Sequence, residues 1–358
     1  MEAAMKLARE YFVWKGQLQR VNFIAREQSY HGTTIGSLSV SGHLARRAPF
    51  EEILLPNVYR VPACNPYRQR LDGESDADYV LRKAEELDQA FHQAGPTTVA
   101  AFIAEPVVGA ALGCVPPPAG YLQAMREVCD KHGALLILDE VMCGMGRTGT
   151  LHAWQQEGVV PDIQTIGKGL AGGYVAASAV LASEKIVQEM RRNNATFTHG
   201  HTFQNHATIS ATALRVQQVI QQEGLLGNIK VQGKYLEKLL NQRLSEHPYV
   251  GDIRGRGLFW SIEFVRDRAT KESFNASLEV ARRVHNKALN AKWPMMVYFG
   301  QGCAGNQCGD QIMIMPAYNV SAKLLETIVD RLVEAIDMAF DEVRVQRVEN
   351  GFSYFPSS

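Results

Sequence analysis

Lys168 stands in the stretch DIQTIGKGLAGGY, residues 162–174, with a glycine directly on each side and no other charged residue after the opening aspartate. Three hypotheses fit a lysine in such a turn. It is an ordinary solvent-exposed loop lysine, since lysine is seldom buried, or it belongs to a phosphate-binding loop. In the third, the amine is partly desolvated and therefore neutral, so that it attacks a carbonyl carbon. The rest of the sequence has to decide between them.

Two nucleotide-binding hypotheses are disfavoured by the motifs themselves. LLILDEV, residues 135–141, is an apolar run followed by two acidic residues. This pattern occurs in the Walker B strand of nucleotide hydrolases and also in ordinary sheet strands that end at acidic residues. A hydrolase also needs GxxxxGK[ST], and Lys168 is followed by Gly169. GMGRTG, residues 144–149, matches GxGxxG, but neither the immediate helix nor the acidic strand end of the dinucleotide fingerprint follows it.

Asp139 and Lys168 together suggest a different chemistry. Asp139 ends a predicted buried strand, and Lys168 follows the next strand candidate, a spacing that suits one crossover between parallel strands. Both residues then lie at the carboxyl edge of one sheet, where α/β proteins bind ligands. An aldehyde cofactor needs such a pair: the lysine forms a Schiff base, and the carboxylate keeps the pyridine nitrogen protonated.

Other polar and aromatic residues stand at strand ends or turns, where they could serve the same site. Tyr30 and His31, in SYHG, follow a strand, and an aromatic ring there stacks on a flat cofactor or packs on the core. Val141 closes the opposite face of the cofactor or is a core valine. Glu105, in AEPVVGA, belongs to the substrate site or is a structural charge. Thr202, in HGHTFQNH, binds an anion near a helix start or caps that helix.

The hydrophobic pattern predicts an α/β fold that positions these residues. Runs such as LLIL are apolar on both faces, which is typical of a parallel sheet covered by helices. We expect a large domain over 1–220 and a smaller α+β C-terminal domain over 221–358. Strands are predicted at 20–26, 97–106, 134–141, 162–167, 177–183, 255–265, 295–299 and 311–315. Helices are predicted at 1–12, after 30, and at 76–95, 120–133, 205–224, 225–247, 275–290 and 321–345.

Composition narrows the class of protein. The chain has 358 residues with 37 basic and 37 acidic side chains, so no net charge favours nucleic acid or a membrane surface as a partner. The six cysteines lack metal-ligand spacing and suit a reduced, cytoplasmic protein. Residues 1–12 start inside an amphipathic helix with Ala4, Leu7, Ala8, Tyr11 and Phe12 on its apolar face. We therefore expect that the chain lacks a region upstream.

Motifs over nearly the whole chain resemble the class III (ornithine/ω-amino acid) family of pyridoxal-phosphate aminotransferases. They occur in the family's order as EAAMKLAREYF, YHGTT, AAFIAEPVVGA, LLILDEVMCGMGRTG, DIQTIGKGLAGGY, HTFQNH and IRGRGLFWSIEF. The resemblance implies fold type I, with a mostly parallel sheet in the large domain, and a homodimer with shared active sites. It also implies pyridoxal 5'-phosphate as cofactor and transfer of an amino group from an amine or ω-amino acid to a keto acid.

The resemblance assigns a role to each matching residue. Lys168 resembles the Schiff-base lysine, which also acts as general base, and Asp139 resembles the partner of the pyridine nitrogen. Tyr30 and Val141 match the residues on either side of the ring, with His31 beside Tyr30. Two residues complete the set: Glu105, which matches the Glu-Pro glutamate near the substrate, and Thr202, which matches the threonine that reaches the neighbouring subunit's phosphate.

Three features depart from the family's pattern. The Ser-Gly-Ser-Glu-Ala turn that binds the phosphate is absent, Met142 replaces a common glutamine, and residues 293–320 contain no arginine for a substrate carboxylate. The last feature predicts a preference for small acceptors such as pyruvate over 2-oxoglutarate. A truncated, poorly active subunit, or a lyase or decarboxylase on the same scaffold, remains an alternative function.

Overall fold

A computed structural model describes residues 1–305 and 308–349 of the chain. Its strands are β1 (Asn22–Arg26), β2 (Val58–Val61), β3 (Val99–Ala104), β4 (Leu135–Asp139), β5 (Ile163–Ile166), β6 (Ala179–Ala182), β7 (Val250–Arg256), β8 (Phe259–Phe264), β9 (Tyr298–Gly305) and β10 (Cys308–Ile314). Its helices are α1 (Glu2–Trp14), α2 (Ile35–Val40), α3 (Leu44–Arg47), α4 (Pro66–Gln69), α5 (Asp76–Ala94), α6 (Tyr121–Lys131), α7 (Glu184–Arg192), α8 (Ala207–Gln222), α9 (Leu225–Leu244), α10 (Val280–Leu289) and α11 (Ala322–Glu349). None of the described helices combines the length and apolar character needed to cross a membrane.

The larger sheet has the strand order β2-β1-β3-β4-β5-β6. Strands β1 to β5 pair in parallel, and β6 runs antiparallel to β5 at one edge. Every residue of β3 and β4 is buried, because helices cover both faces of the sheet. The predicted α/β architecture with a mostly parallel sheet is confirmed.

Alternate residues of β1 show how the two faces are covered. Phe23 packs in a cluster with the apolar side of α1, whereas Ile24 packs with Leu87 of α5 and Met125 of α6. Full burial of such a side chain stabilises a fold by about 1.5–3 kcal/mol. The predicted apolar face of α1 is confirmed, since its five residues are all buried.

The smaller sheet has the order β7-β8-β10-β9, with antiparallel neighbours, and packs against α9, α10 and α11. The predicted single strand over 255–265 is wrong. It is interrupted at Gly257, whose φ of 62° forms the turn between β7 and β8. A side chain there would also strike the backbone of Thr148. The predicted domain boundary after residue 220 stays a prediction, and residues 306–307 and 350–358 of the predicted smaller domain lie outside the described residues.

Candidate active site

The carboxyl ends of four parallel strands place the predicted residues along one edge of the larger sheet. In the order β1-β3-β4-β5, these strands lead to Tyr30, Glu105, Asp139 and Lys168. Asp139 pairs in register with Thr165, and Lys168 comes shortly after that residue. The strands that precede Asp139 and Lys168 are therefore adjacent and parallel.

Asp139 is almost completely buried, and its carboxylate accepts several hydrogen bonds. Oδ1 accepts from the Thr165 hydroxyl at 2.9 Å and from the Val141 backbone N–H at 3.1 Å. Oδ2 lies 2.8 Å from Nδ1 of His31. Burial opposes ionisation, but the contact with His31 and the Val141 amide outweigh it, so the pKa of Asp139 lies below its ordinary value. A carboxylate has about four acceptor positions, so one remains for a further donor.

His31 is buried beside Asp139. Its backbone N–H donates to the Ser41 hydroxyl at 2.8 Å, while its ring nitrogen Nε2 is buried without a hydrogen-bond partner in the described part of the chain. An unsatisfied buried polar atom costs about 1–3 kcal/mol. The ring therefore orients Asp139 with one nitrogen and leaves the other for a further group.

Glu105 contacts the backbone of Tyr30 from inside the protein. Its Oε1 accepts from the Tyr30 N–H at 3.1 Å, and its Oε2 accepts from the Gly109 N–H at 2.9 Å. Burial raises the pKa of Glu105. The Tyr30 ring is half-buried, with the Arg46 guanidinium 4.5 Å from its centroid. Glu105 thus positions Tyr30, and its contact with substrate stays a prediction.

Lys168 begins a short 3-10 turn with φ of 42°, a conformation uncommon for a residue other than glycine. Its side chain is exposed, so this chain alone does not provide the partial desolvation of the amine that the third hypothesis requires. The turn is held by Gln217 of α8, whose Nε2 donates to the carbonyls of Leu170 at 2.8 Å and Gly169 at 3.3 Å. No pattern in the sequence pointed to Gln217.

A cavity of about 1140 Å³ lies beside the Lys168 turn, and Tyr174, Arg147, Arg215 and Tyr318 also line it. Arg147 Nη1 donates to the carbonyls of Pro316 at 2.6 Å and Leu258 at 3.1 Å, and its guanidinium lies 4.5 Å from the Tyr318 ring centroid. Arg147 therefore connects the loop after β4 to segments next to β8 and β10.

Thr202, unlike the other predicted polar residues, does not follow a parallel strand of the larger sheet. It is exposed in a turn ahead of α8, and no hydrogen bond within the described residues connects its side chain to Asp139 or Lys168. Helix α8 begins at Ala207 with His206 as its N-cap, so the alternative role of Thr202 as a helix cap is wrong.

Glu140, next to Asp139, has a structural role that the sequence did not reveal. Its carboxylate accepts from the backbone N–H groups of Ala153 at 2.7 Å and Trp154 at 2.8 Å. Burial raises the pKa of Glu140 to about 7, although these two hydrogen bonds oppose the shift. The two acidic residues of the motif thus differ, because Asp139 faces the sheet edge and Glu140 anchors the following loop.

Comparison with known proteins identifies the family of the chain. Residues 1–336 match the family model described as aminotransferase class-III. An aminotransferase of Gibberella zeae is 51% identical over 95% of this chain and 67% of its own length. The taurine–pyruvate aminotransferase of Bilophila wadsworthia is 35% identical over 96% of this chain and 73% of its own length.

Solved structures give the same answer for the fold. The (S)-enantioselective ω-transaminase of Thermomicrobium roseum superposes with a TM-score of 0.85 at 37% identity, covering 96% of this chain and 72% of that structure. The ω-transaminase of Pseudomonas jessenii, solved in complex with PMP, has a TM-score of 0.87 at 32% identity, covering 96% of this chain and 73% of that structure. Family match, identity and fold therefore agree that this chain is an enzyme, a transaminase that belongs to the class III aminotransferases.

Proposed function

We propose that the chain transfers an amino group from an amine or ω-amino acid to a keto acid, with pyridoxal 5'-phosphate bound through Lys168. The observation that carries this proposal is the position of a buried, ionised Asp139 and of Lys168 at the ends of adjacent strands. Class III aminotransferases depend on this cofactor, and the P. jessenii relative contains its amino form.

The residues at the sheet edge fit the cofactor. Asp139 keeps one acceptor position for a protonated ring nitrogen, and the unpartnered Nε2 of His31 accepts or donates one more hydrogen bond. Gly169 keeps the turn free of a side chain, because a Cβ there would lie 3.0 Å from the Tyr318 hydroxyl. When bound, the cofactor supplies an electron sink that stabilises negative charge on the substrate carbon.

Each residue then has a defined task. Lys168 would hold the cofactor through its amine, and the same amine would serve as general base for the proton on the substrate carbon that bears the amino group. Asp139 would stabilise the positive charge of the ring nitrogen. Tyr30 and Val141 would flank the ring. Thr202 matches the family threonine that reaches the neighbouring subunit's phosphate, and for this reason we propose a homodimer.

The contacts of Arg147 and Arg256, together with the composition of residues 293–320, support small monocarboxylate acceptors such as pyruvate. A dicarboxylate needs a second cation, usually a bidentate arginine. Residues 293–320 contain no arginine or lysine, Arg147 is engaged by two carbonyls, and Arg256 pairs with Glu157 at 2.5 Å. The taurine–pyruvate relative supports the same acceptor. Arg215 also lines the cavity, with Nη1 bonded to Gln222 at 3.1 Å.

A half-reaction assay tests the proposal. The enzyme is loaded with the aminated cofactor, and return of the aldehyde form is followed after each keto acid is added. We expect faster return with pyruvate than with 2-oxoglutarate, in the native enzyme and in Arg215→Gln alike. Faster return with 2-oxoglutarate that Arg215→Gln abolishes would assign Arg215 to a dicarboxylate site. No return with any keto acid would reject transamination.

A further inference from the structure

A group of metal-ligand side chains lies on the helical layer formed by α5 and α6, outside the candidate active site. Asp88 and His92 are four residues apart on α5, so they share one face of that helix. His132 directly follows the last residue of α6. One ligand atom from each of the three side chains lies within 4.8 Å of the other two.

The three ligand atoms are already close together. Nε2 of His132 is hydrogen-bonded to Oδ1 of Asp88 at 2.6 Å, and Nε2 of His92 lies 3.7 Å from Oδ2 of the same carboxylate. Ligands at about 2.0–2.2 Å from a tetrahedral Zn²⁺ are separated by roughly 3.3–3.6 Å. An ion would therefore replace the hydrogen bond between His132 and Asp88, and the exposed His92 would turn towards it.

The three side chains differ in how firmly they are held. The His132 ring stacks on buried Phe91, with 4.4 Å between ring centroids, and its side chain is only 6% exposed. The side chain of His92 is 62% exposed and free to turn towards its neighbours. One ligand is thus fixed by packing, and another can close over an ion.

The Asp88 carboxylate already has two partners besides His92, namely Lys131 and His132. The Lys131 ammonium lies 2.8 Å from Oδ1, the oxygen that also contacts His132. Lys131 therefore competes with any cation for this carboxylate.

We propose that Asp88, His92 and His132 form a Zn²⁺ site that joins α5 to α6, with water as the fourth ligand. Two imidazole nitrogens and one carboxylate are a donor set typical of zinc, whereas Mg²⁺ and Ca²⁺ prefer oxygen ligands alone. The partial exposure of the group leaves room for the water. The site lies on α5 and α6, outside the candidate active site, and has no part in transamination.

Calorimetric titration of the tag-free holoenzyme with ZnCl₂ tests the site. We expect saturable binding of one ion that raises the Tm, since the ligands come together only in the folded chain. His132→Ala and His92→Gln should each weaken binding by more than about tenfold, the loss that even outer-shell changes produce. His247→Gln is the matched control, because His247 faces a single carboxylate, Asp337, at 3.5 Å.

Lys131→Gln separates the zinc site from a simple ion-pair cluster. Removing the competing ammonium should strengthen zinc binding, whereas a cluster that only fastens two helices would lose stability and bind no zinc. The proposal is overturned if the native enzyme shows no saturable binding. It is equally overturned if His92→Gln, a change on an exposed side chain, leaves the affinity unchanged.

Discussion

Nδ1 of His31 lies 2.8 Å from Oδ2 of Asp139, although 108 positions separate the two residues in the chain. His31 follows β1 and Asp139 ends β4, with β3 between these strands in the sheet. The imidazole therefore reaches across one strand end to orient the carboxylate. This contact also helps to keep Asp139 ionised in spite of its burial.

His31→Ala should move the acidic limit of activity to higher pH. The pKa of folded Asp139 lies below its ordinary value of 3.8, so its stabilising contribution is present above that value and is lost as the pH falls through the folded pKa. Without His31, burial dominates and the pKa rises. The pH profile of the half-reaction measures this shift, and His285→Gln serves as control. An unchanged acidic limb would show that His31 does not set the charge of Asp139.

Asp139→Asn should retain the fold but lower turnover by about 10²-fold or more, the effect of losing one preorganised electrostatic partner. The neutral amide cannot hold a positive ring nitrogen as a carboxylate does. Half-reaction rates at saturating cofactor give the effect, and thermal unfolding gives the control for the fold. Turnover close to that of the native enzyme would mean that Asp139 is not the ring-nitrogen partner.

Borohydride treatment of the cofactor-loaded enzyme should fix the cofactor on Lys168. Peptide mapping by mass spectrometry identifies the modified residue. Lys168→Ala should lose the adduct, and Lys185→Ala should keep it, because Lys185 pairs with Asp162 at 3.1 Å. An adduct on any other lysine of the native enzyme would reject the assignment.

Gln217→Leu should lower turnover several-fold with little change in the KM of the amino donor. The substitution removes the donors to the carbonyls of Gly169 and Leu170, each worth about 0.5–1.5 kcal/mol, and so loosens the Lys168 turn. Gln221→Leu, an exposed change on the same helix, is the matched control. Equal effects of the two substitutions would indicate a general loss of helix stability instead.

Local patterns were sufficient to predict the framework of the site. Asp139 and Lys168 could be placed at one sheet edge because apolar runs mark buried strands and parallel strands end on the same side. The hydrogen bonds from His31 and Thr165 to Asp139 could not be predicted, since they depend on strand order and on side-chain orientation.

Glycine explains the main error in the fold. The run 255–265 has the composition of one strand, and only the three-dimensional structure shows that Gly257 turns the chain against Thr148. The N-terminus of α8 was also uncertain from its sequence, because several polar residues precede it. His206 takes the N-cap position, so Thr202 remains in the turn before the helix.

The packing between Gly169 and Tyr318 has a consequence for protein engineering. The Tyr318 hydroxyl donates to the Met145 carbonyl at 3.1 Å and would lie 3.0 Å from a Cβ at position 169. In a library that enlarges residue 169 and keeps Tyr318, most variants will fail because the two side chains clash. Such a library therefore tests few variants for activity on new substrates. The two positions have to be randomised as a pair, because substitutions at contacting residues do not add.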